Sequence, residues 1–266
     1  MRIFRTNTLK ILILGIILSI VCSSIYGQES VYKLNAQKDG IILGVGIGTT
    51  LLGHFLAGKS DKASEVEIVG LNINNLNFLD RSSALNNSRS AITASDVILY
   101  SSVIYPLGSY LTRGCRKEKV VIGVMAIETI LITNGITNII KSATKRYRPY
   151  NYNPTIPLQD KLVNSSRFSF VSGHTSITSA MSFFTAKVII DSNLDMKNKF
   201  LVWIPSAFIP AAIGYFRVKG GRHFPTDVIS GYLLGATVGY LIPSLHKRED
   251  IKMEFSYDKV GLRYEF

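Results

Sequence analysis

Five long apolar segments, joined by short polar links, dominate the chain after residue 96. They run from Val97 to Leu111, Val120 to Ile140, Thr175 to Ile190, Phe200 to Phe216 and Val228 to Leu245. Their lengths favour helices over strands. In the last segment glycine recurs every four residues, at Gly231, Gly235 and Gly239, a spacing that lets helices pack closely. The pattern predicts an all-α bundle over residues 96–246.

The N-terminus has the layout of a targeting segment. Basic residues precede an apolar run from Ile11 to Val21, and small and polar residues follow it. Residues 1–27 are therefore predicted to be a signal peptide, with an uncleaved anchor helix as the alternative. Cys22 does not indicate lipidation, because Val21 stands where a small residue is expected.

Residues 28–95 combine an apolar stretch with a polar one. The stretch from Gly40 to Gly58 is barely long enough to cross a bilayer, and the pattern leaves that crossing open. From Lys59 to Ala94 the sequence is rich in Asn and Ser, which predicts a surface excursion with short helical pieces at best.

Polar residues interrupt the pattern at two further places. Glu128 and Asn134 lie within the second apolar segment and are expected to point into the bundle, with Glu128 as a structural hydrogen-bonding residue. The tail, residues 247–266, alternates apolar and polar positions around "DKVG" and predicts a small β-hairpin.

The composition adds a positive charge to this picture. The 266 residues are 47% hydrophobic and 18% charged, with a mean hydropathy of +0.22 and a formal charge of +12. Such a surplus suits nucleic acid, an anionic membrane surface or a phosphate-bearing substrate, and composition does not choose among them. After signal cleavage Cys115 is the remaining cysteine, which excludes an internal disulfide and a cysteine metal site.

The first of three charged clusters is "KSATKRYRPY" at the end of the second apolar segment. Lys141, Lys145 and Arg148 fall at i, i+4 and i+7 and are predicted to share one helix face, before Pro149 stops the helix. Taken alone, the cluster also fits a basic anchor beside a membrane.

The second cluster is "SGH". Ser172 and Gly173 stand at the predicted start of a helix, where free N–H groups bind anions, and His174 follows in the first turn. By itself, His174 also fits an ordinary capping or core histidine.

The third cluster is "RVKGGRHFPTD". Pro225 suits the first turn of a helix, which puts His223 just ahead of that helix and Asp227 one turn inside it. A carboxylate within reach of an imidazole orients the ring, and Arg217 offers a planar fork suited to phosphate oxygens. The cluster predicts a cationic pocket with an oriented histidine.

Together, the three clusters resemble the signature of the type 2 phosphatidic acid phosphatase (PAP2) superfamily, which includes bacterial acid phosphatases and vanadium haloperoxidases. The match covers roughly residues 96–245 and consists of Lys141, Arg148 and Pro149, then Ser172, Gly173 and His174, then Arg217, His223 and Asp227. Val171 stands where the family usually has Pro, and Phe216 where it usually has Ser. Neither change removes a charge or a proton-transfer group.

The resemblance implies a mechanism. His223 attacks phosphorus and forms a phosphohistidine, Asp227 orients it, and His174 protonates the leaving oxygen and then activates water. The phosphate oxygens are held by side chains and N–H groups, namely Lys141, Arg148, Arg217, Ser172 and Gly173. No metal and no cofactor are expected.

The superfamily includes both lipid phosphatases and soluble acid phosphatases. The apolar helices that open onto the phosphate site favour a multi-pass membrane phosphatase for lipid or prenyl phosphates or pyrophosphates, surrounded by membrane lipids and without a nucleic-acid partner. The basic link "RGCRKEK" is predicted to be cytoplasmic, which puts the site on the periplasmic side of a bacterial inner membrane. A periplasmic acid phosphatase for small soluble esters is the alternative. A vanadate-dependent haloperoxidase and a non-enzymatic membrane protein are alternatives of other classes. The exact substrate and the oligomeric state stay open.

Overall fold

The computed structural model describes residues 30–60, 62–111, 115–193, 196–248, 251–256 and 259–264. Both the predicted signal peptide and Cys22 lie outside these residues. The α-helices of the described part are α1 (Ala36–Gly58), α2 (Glu65–Val69), α3 (Phe78–Arg81), α4 (Arg89–Val103), α5 (Tyr105–Ser109), α6 (Lys119–Thr144), α7 (Leu158–Lys161), α8 (Gly173–Asp191), α9 (Phe200–Lys219) and α10 (Pro225–His246). Short 3-10 turns lie at Ile73–Asn75, Cys115–Glu118, Pro149–Tyr152 and Asn164–Arg167.

The prediction of helices for the five apolar segments is confirmed, with one break. The first segment divides into α4 and α5, because Ile104 caps α4 and Pro106 opens the next helix. Proline fits the first turn of a helix but not its interior, so the chain bends at this point.

Helix α8 lies at the centre of the bundle and packs against α4, α6, α9 and α10. Its Met181, Phe184 and Val188 are buried in the main apolar core with Met125 of α6 and Val238 of α10. A Cβ atom at Gly231, Gly235 or Gly239 would collide with the α8 backbone, at Ser172, Ser176 and Ala180 respectively. The glycine repeat therefore sets the close approach of α8 and α10.

Helix α1 packs against α6 in a second glycine-mediated contact. Gly46 faces Leu131 and Gly53 faces Asn138, so the two helices run parallel. On the outer side of α1, large apolar side chains such as Leu51 and Phe55 are exposed. Four stretches in the described residues are long and apolar enough to cross a membrane: Ala36–Gly58, Cys115–Tyr152, Phe200–Lys219 and Pro225–His246. The stretch that the sequence pattern left open thus forms one of these four.

A buried polar cluster joins three helices at one end of the bundle. His246, at the end of α10, places Nε2 3.0 Å from Asp39 of α1 and 3.2 Å from Glu128 of α6. Nδ1–H of His246 donates to the carbonyl oxygen of Ile242 at 2.8 Å. Glu128 therefore points into the bundle, as predicted. From His246 to Asp227, α10 rises by about 28 Å, which puts this cluster at the opposite end from Asp227.

The tail runs as two short strands, β1 (Ile251–Ser256) and β2 (Lys259–Tyr264). They pair antiparallel, with Ile251 opposite Tyr264 and Ser256 opposite Lys259. The β-hairpin predicted for the tail is not confirmed as part of the fold and stays a prediction.

Candidate active site

The three charged clusters meet at one end of the bundle, where α6 ends and where α8 and α10 begin. The charges of Lys141, Arg148, Arg217 and His174 all act on the imidazole of His223. A Cβ atom at Gly173 would lie 3.6 Å from Lys141 Nζ, and the N–H of Ser172 binds the carbonyl of Asp227 at 2.9 Å. The fold thus brings all eight predicted site residues together.

His223 lies in the loop between α9 and α10 and is 1% exposed. Its Nδ1 is 2.8 Å from the backbone carbonyl oxygen of Ser169. Since a carbonyl oxygen only accepts, this contact assigns the ring proton to Nδ1 and leaves the lone pair on Nε2. Burial, followed by the charges of Arg148 and Lys141, lowers the pKa of His223 well below its ordinary value. The ring is therefore neutral near pH 7, with Nε2 unprotonated.

Asp227 acts on His223 less directly than the sequence predicts. Its Oδ2 is 3.6 Å from Nδ1 of His223, which is too long for a hydrogen bond. The same oxygen accepts from Ser169 Oγ at 2.5 Å and from the N–H of Phe224 at 2.8 Å. Asp227 thus holds both Ser169 and the backbone next to His223 in place. The carbonyl of Ser169 in turn orients the imidazole ring.

Asp227 also belongs to an ion-pair network that the sequence analysis missed. Arg146 donates to Asp227 Oδ1 at 2.6 Å and to Asp80 Oδ2 at 2.5 Å. Asp80 also accepts from the N–H and the hydroxyl of Thr226. Burial raises the pKa of Asp80, but the hydrogen bonds from Arg146 and Thr226 together lower it by more, so the net shift is downward. Asp80 stays ionised and anchors the start of α10.

The segment that contains Asp80 differs from the predicted surface excursion. Its helices are short, as expected, but Asp80, Ser83 and Ala84 are buried against the site. Glu67 pairs with Arg167 at 3.3 Å, and the side-chain amide of Asn86 donates to the carbonyl of Val218. The polar segment therefore covers the loops that carry the site.

Three cations line the space in front of His223. Arg217 of α9 is 5% exposed, and its Nε has no hydrogen-bond partner among the described residues. Lys141 donates to the carbonyl of Phe168 at 3.3 Å, and Arg148 donates to the carbonyls of Ser165 and Arg222. Of the three, Arg217 alone has a carboxylate partner among the described residues, Asp96 at 3.4 Å, so the cluster carries an excess of positive charge. Such an excess in a confined site is costly without an anion. This arrangement indicates an anion-binding site.

The predicted helical face formed by Lys141, Lys145 and Arg148 is not formed. Helix α6 ends at Thr144, and Lys145 takes the left-handed conformation (φ 44°) that commonly follows a helix. Lys145 is consequently exposed. Arg148 reaches the site from beyond the helix, on a loop that is fixed by its own N–H bond to the Ser166 carbonyl.

The start of α8 supplies fewer N–H groups than the sequence predicts. The N–H of Ser172 is bound to the Asp227 carbonyl, and Ser172 Oγ caps the helix by accepting from the N–H of Thr175. Ser172 therefore shapes the site but offers it no N–H. The N–H groups of Gly173 and His174 lie in the first turn, where no intrahelical acceptor exists, so they are the donors available to an anion.

His174 contacts a second residue that the sequence analysis missed. Its Nε2 is 2.8 Å from Oδ1 of Asp96, a residue of α4. The same oxygen lies 3.4 Å from Nη1 of Arg217. Burial, followed by the charge of Arg217, lowers the pKa of His174 to about 4. A lone carboxylate at the head of an apolar segment was the available sequence signal.

Comparison with known proteins agrees with this geometry. The family model of the PAP2 superfamily matches residues 122–250. Over this range, just under half of the chain, the sequence is similar to that superfamily. All eight predicted site residues fall inside the matched range, whereas Asp80 and Asp96 precede it. With four stretches in the described residues that are long and apolar enough to cross a bilayer, the chain is a membrane protein.

Three curated relatives are phosphatases. The chain is 30% identical to an undecaprenyl-diphosphatase of Sulfolobus acidocaldarius over 49% of this chain and 58% of that protein. It is 22% identical to a lipid A 4'-phosphatase of Porphyromonas gingivalis, over 57% and 61% respectively. With phosphatidylglycerophosphatase B of Bacillus subtilis the identity is 28%, over 62% and 76%. The chain thus spans less than two thirds of the length of the first two relatives.

One solved structure is similar as well. It is the crystal structure of a transmembrane PAP2-type phosphatidylglycerolphosphate phosphatase from Bacillus subtilis, which is 20% identical in sequence. The similarity covers 75% of this chain and 94% of that one, with a TM-score of 0.47.

Proposed function

We propose that the protein is a metal-independent phosphatase that hydrolyses lipid or prenyl phosphate esters through a phosphohistidine. The observation that carries the proposal is the neutral, oriented His223 facing Lys141, Arg148 and Arg217. Three relatives that are named as phosphatases of a prenyl diphosphate, lipid A and phosphatidylglycerophosphate support the substrate class.

The first step forms the covalent intermediate. Nε2 of His223 attacks phosphorus, the bond from phosphorus to the leaving oxygen breaks, and that oxygen takes a proton from His174. Lys141, Arg148 and Arg217, with the N–H groups of Gly173 and His174, hold the three equatorial oxygens. These donors are positioned before the reaction, so the developing charge requires little rearrangement.

The second step returns the enzyme to its starting state. Neutral His174 takes a proton from water, the hydroxide oxygen attacks phosphorus, and the phosphorus–nitrogen bond to His223 breaks. The products are inorganic phosphate and an enzyme in which Nε2 of His223 is again unprotonated and His174 carries the proton taken from water. The hydrogen bond from Nδ1 to Ser169 is retained throughout, which keeps the ring in one orientation.

An apolar cavity beside the site supports an amphiphilic substrate. It measures about 610 Å³ and lies between α5, α8 and α9, with Tyr105, Gly108, Ser182, Thr185, Pro205 and Ile209 in its lining. Helices α8 and α9 also carry His174 and Arg217, about 12 Å from the cavity along each helix. A chain attached to a bound phosphate can therefore extend into it.

The substrate class is tested by phosphate release from phosphatidate, a prenyl diphosphate, lipid A and a soluble monoester, with detergent-purified protein and a chelator present. We expect turnover of the lipid substrates to exceed that of the soluble ester. Gly108→Leu should raise KM for long-chain substrates several-fold, because a Cβ there meets no atom within 4 Å and the side chain has room to occupy the cavity.

Gly123→Leu is the matched control, since a Cβ at Gly123 also meets nothing within 4 Å and Gly123 does not line the cavity. It should leave the dependence on chain length unchanged. Equal turnover of the soluble ester and every lipid would favour the acid-phosphatase alternative. Loss of all turnover in the chelator would contradict metal independence.

The proposed location is a bacterial inner membrane, with the active site on the periplasmic side. The support is the basic link before α6, whose Arg116 and Lys117 lie at the end of α6 opposite the site. Cys115 is fully buried, so its native thiol does not report the side of the membrane.

Two exposed positions, one at each end of α6, allow this orientation to be tested by cysteine labelling. Lys119 and Lys145 are separated by about 39 Å of helix. With Cys22 replaced by Ala, a membrane-impermeant maleimide should label Lys145→Cys in intact spheroplasts and Lys119→Cys only after permeabilisation. The reverse labelling pattern would place the site in the cytoplasm.

A further inference from the structure

Asp96 brings a carboxylate into the site from α4, ahead of residues 122–250, which the family model matches. Its side chain is 43% exposed, and Oδ1 lies 2.8 Å from Nε2 of His174 and 3.4 Å from Nη1 of Arg217. Asp96 thus contacts both the proposed general acid and a phosphate-binding arginine.

The contact with Asp96 assigns different roles to the two nitrogens of His174. An ionised carboxylate only accepts, so the proton of Nε2 is donated to Asp96. Nδ1 has no hydrogen-bond partner among the described residues. When the ring is protonated, the second proton is therefore on Nδ1, and this is the proton that is free to move to a leaving oxygen.

The charges around His174 act in opposite directions. Arg217 of α9, Lys141 of α6 and the neighbouring His223 disfavour a positive imidazole, as does burial. Asp96 favours it, both by its charge and by its hydrogen bond. A phosphate dianion bound to Lys141 and Arg217 acts in the same direction as Asp96.

We propose that Asp96 is the positioning residue of the general acid, binding Nε2 so that Nδ1 of His174 delivers the proton to the leaving oxygen. The inference rests on the proposed phosphatase function. After transfer, the ring keeps its proton on Nε2, and Nδ1 holds the lone pair that takes a proton from the attacking water. Asp96 itself neither gains nor loses a proton. It resembles the carboxylate of a catalytic triad, which orients an imidazole without being protonated.

The test compares leaving groups in Asp96→Asn and Asp96→Ala. Asn still accepts from Nε2 but lacks the charge, whereas Ala lacks both. With an alkyl phosphate we expect kcat to fall about tenfold or more in Asp96→Asn and further in Asp96→Ala. With nitrophenyl phosphate, whose leaving group needs no proton, the loss should be several-fold smaller. Thr93→Ala, an exposed change one turn earlier on α4, serves as the control.

The pH profile provides a second readout. Protonated His174 is required, so kcat on the alkyl phosphate falls as pH rises through the pKa of His174 in the substrate complex. Removing the Asp96 charge lowers that pKa, which should move this limb of the Asp96→Asn profile to lower pH. A residue that only stabilised α4 would not shift the limb.

Equal losses on both leaving groups, or a rise in KM without a change in kcat, would overturn the role of Asp96 and assign it to the fold or to Arg217. If the wild-type protein released phosphate from no substrate, the proposed function itself would fail first. The two failures are therefore distinguishable in one set of assays.

Discussion

Replacing His223 with Ala should reduce turnover to background on every phosphate ester, including those with good leaving groups. The change removes Nε2, the proposed attacking atom, and no other group takes over the covalent step. The loss of kcat should reach at least about 10⁴-fold, as expected for removal of a nucleophile. Phosphate release and rapid-quench labelling with radioactive phosphate measure it. In the wild type, the label should be acid-labile and alkali-stable.

The control for this prediction is His54→Ala, because His54 is exposed on α1 and lies outside the site. It should keep wild-type turnover and labelling. His223→Ala should also keep its thermal unfolding midpoint within a few degrees, so that lost activity is not lost folding. Alkali-stable label on His223→Ala would show that another residue is the nucleophile. Halide oxidation by vanadate-loaded wild type, without any phosphate release, would support the haloperoxidase alternative.

The helices of this protein could be predicted because their signal is local. The apolar segments that became α6, α8, α9 and α10 are longer than any ordinary strand, and the glycine repeat in α10 marks a close helix contact. The division between α4 and α5 was missed, since the apolar run continues unbroken across Pro106. A bend within a continuous apolar run does not change the pattern of hydrophobic and polar positions, so that pattern does not reveal it.

The candidate site likewise contains residues that local sequence patterns predict and residues that they do not. The residues of the three charged clusters could be predicted, because their spacing within each cluster is short and chemically distinctive. Asp80, Arg146 and Asp96 could not be assigned, because they act through partners far away in sequence. Arg146 joins Asp80 to Asp227 across 66 and 81 residues respectively. Only the fold shows that the Asn-rich segment supplies a buried anion.

His174→Ala should depend strongly on the leaving group. With an alkyl phosphate, whose oxygen must be protonated as it departs, kcat should fall about 10²- to 10⁴-fold. Nitrophenyl phosphate needs no such proton, so its turnover should stay measurable. Because His174 also activates water, the phosphohistidine should be hydrolysed slowly and accumulate on His223. Rapid-quench labelling should therefore show more label per enzyme at steady state than in the wild type.

The comparison of His174→Ala with Asp96→Asn links the two proposals. If Asp96 acts through His174, adding Asp96→Asn to His174→Ala should cost little beyond the single change, because residues that act as a unit are not additive. A double variant whose loss equals the product of both single losses would mean that the two residues act independently. Label on His223→Ala together with no label on His174→Ala would exchange the roles of the two histidines.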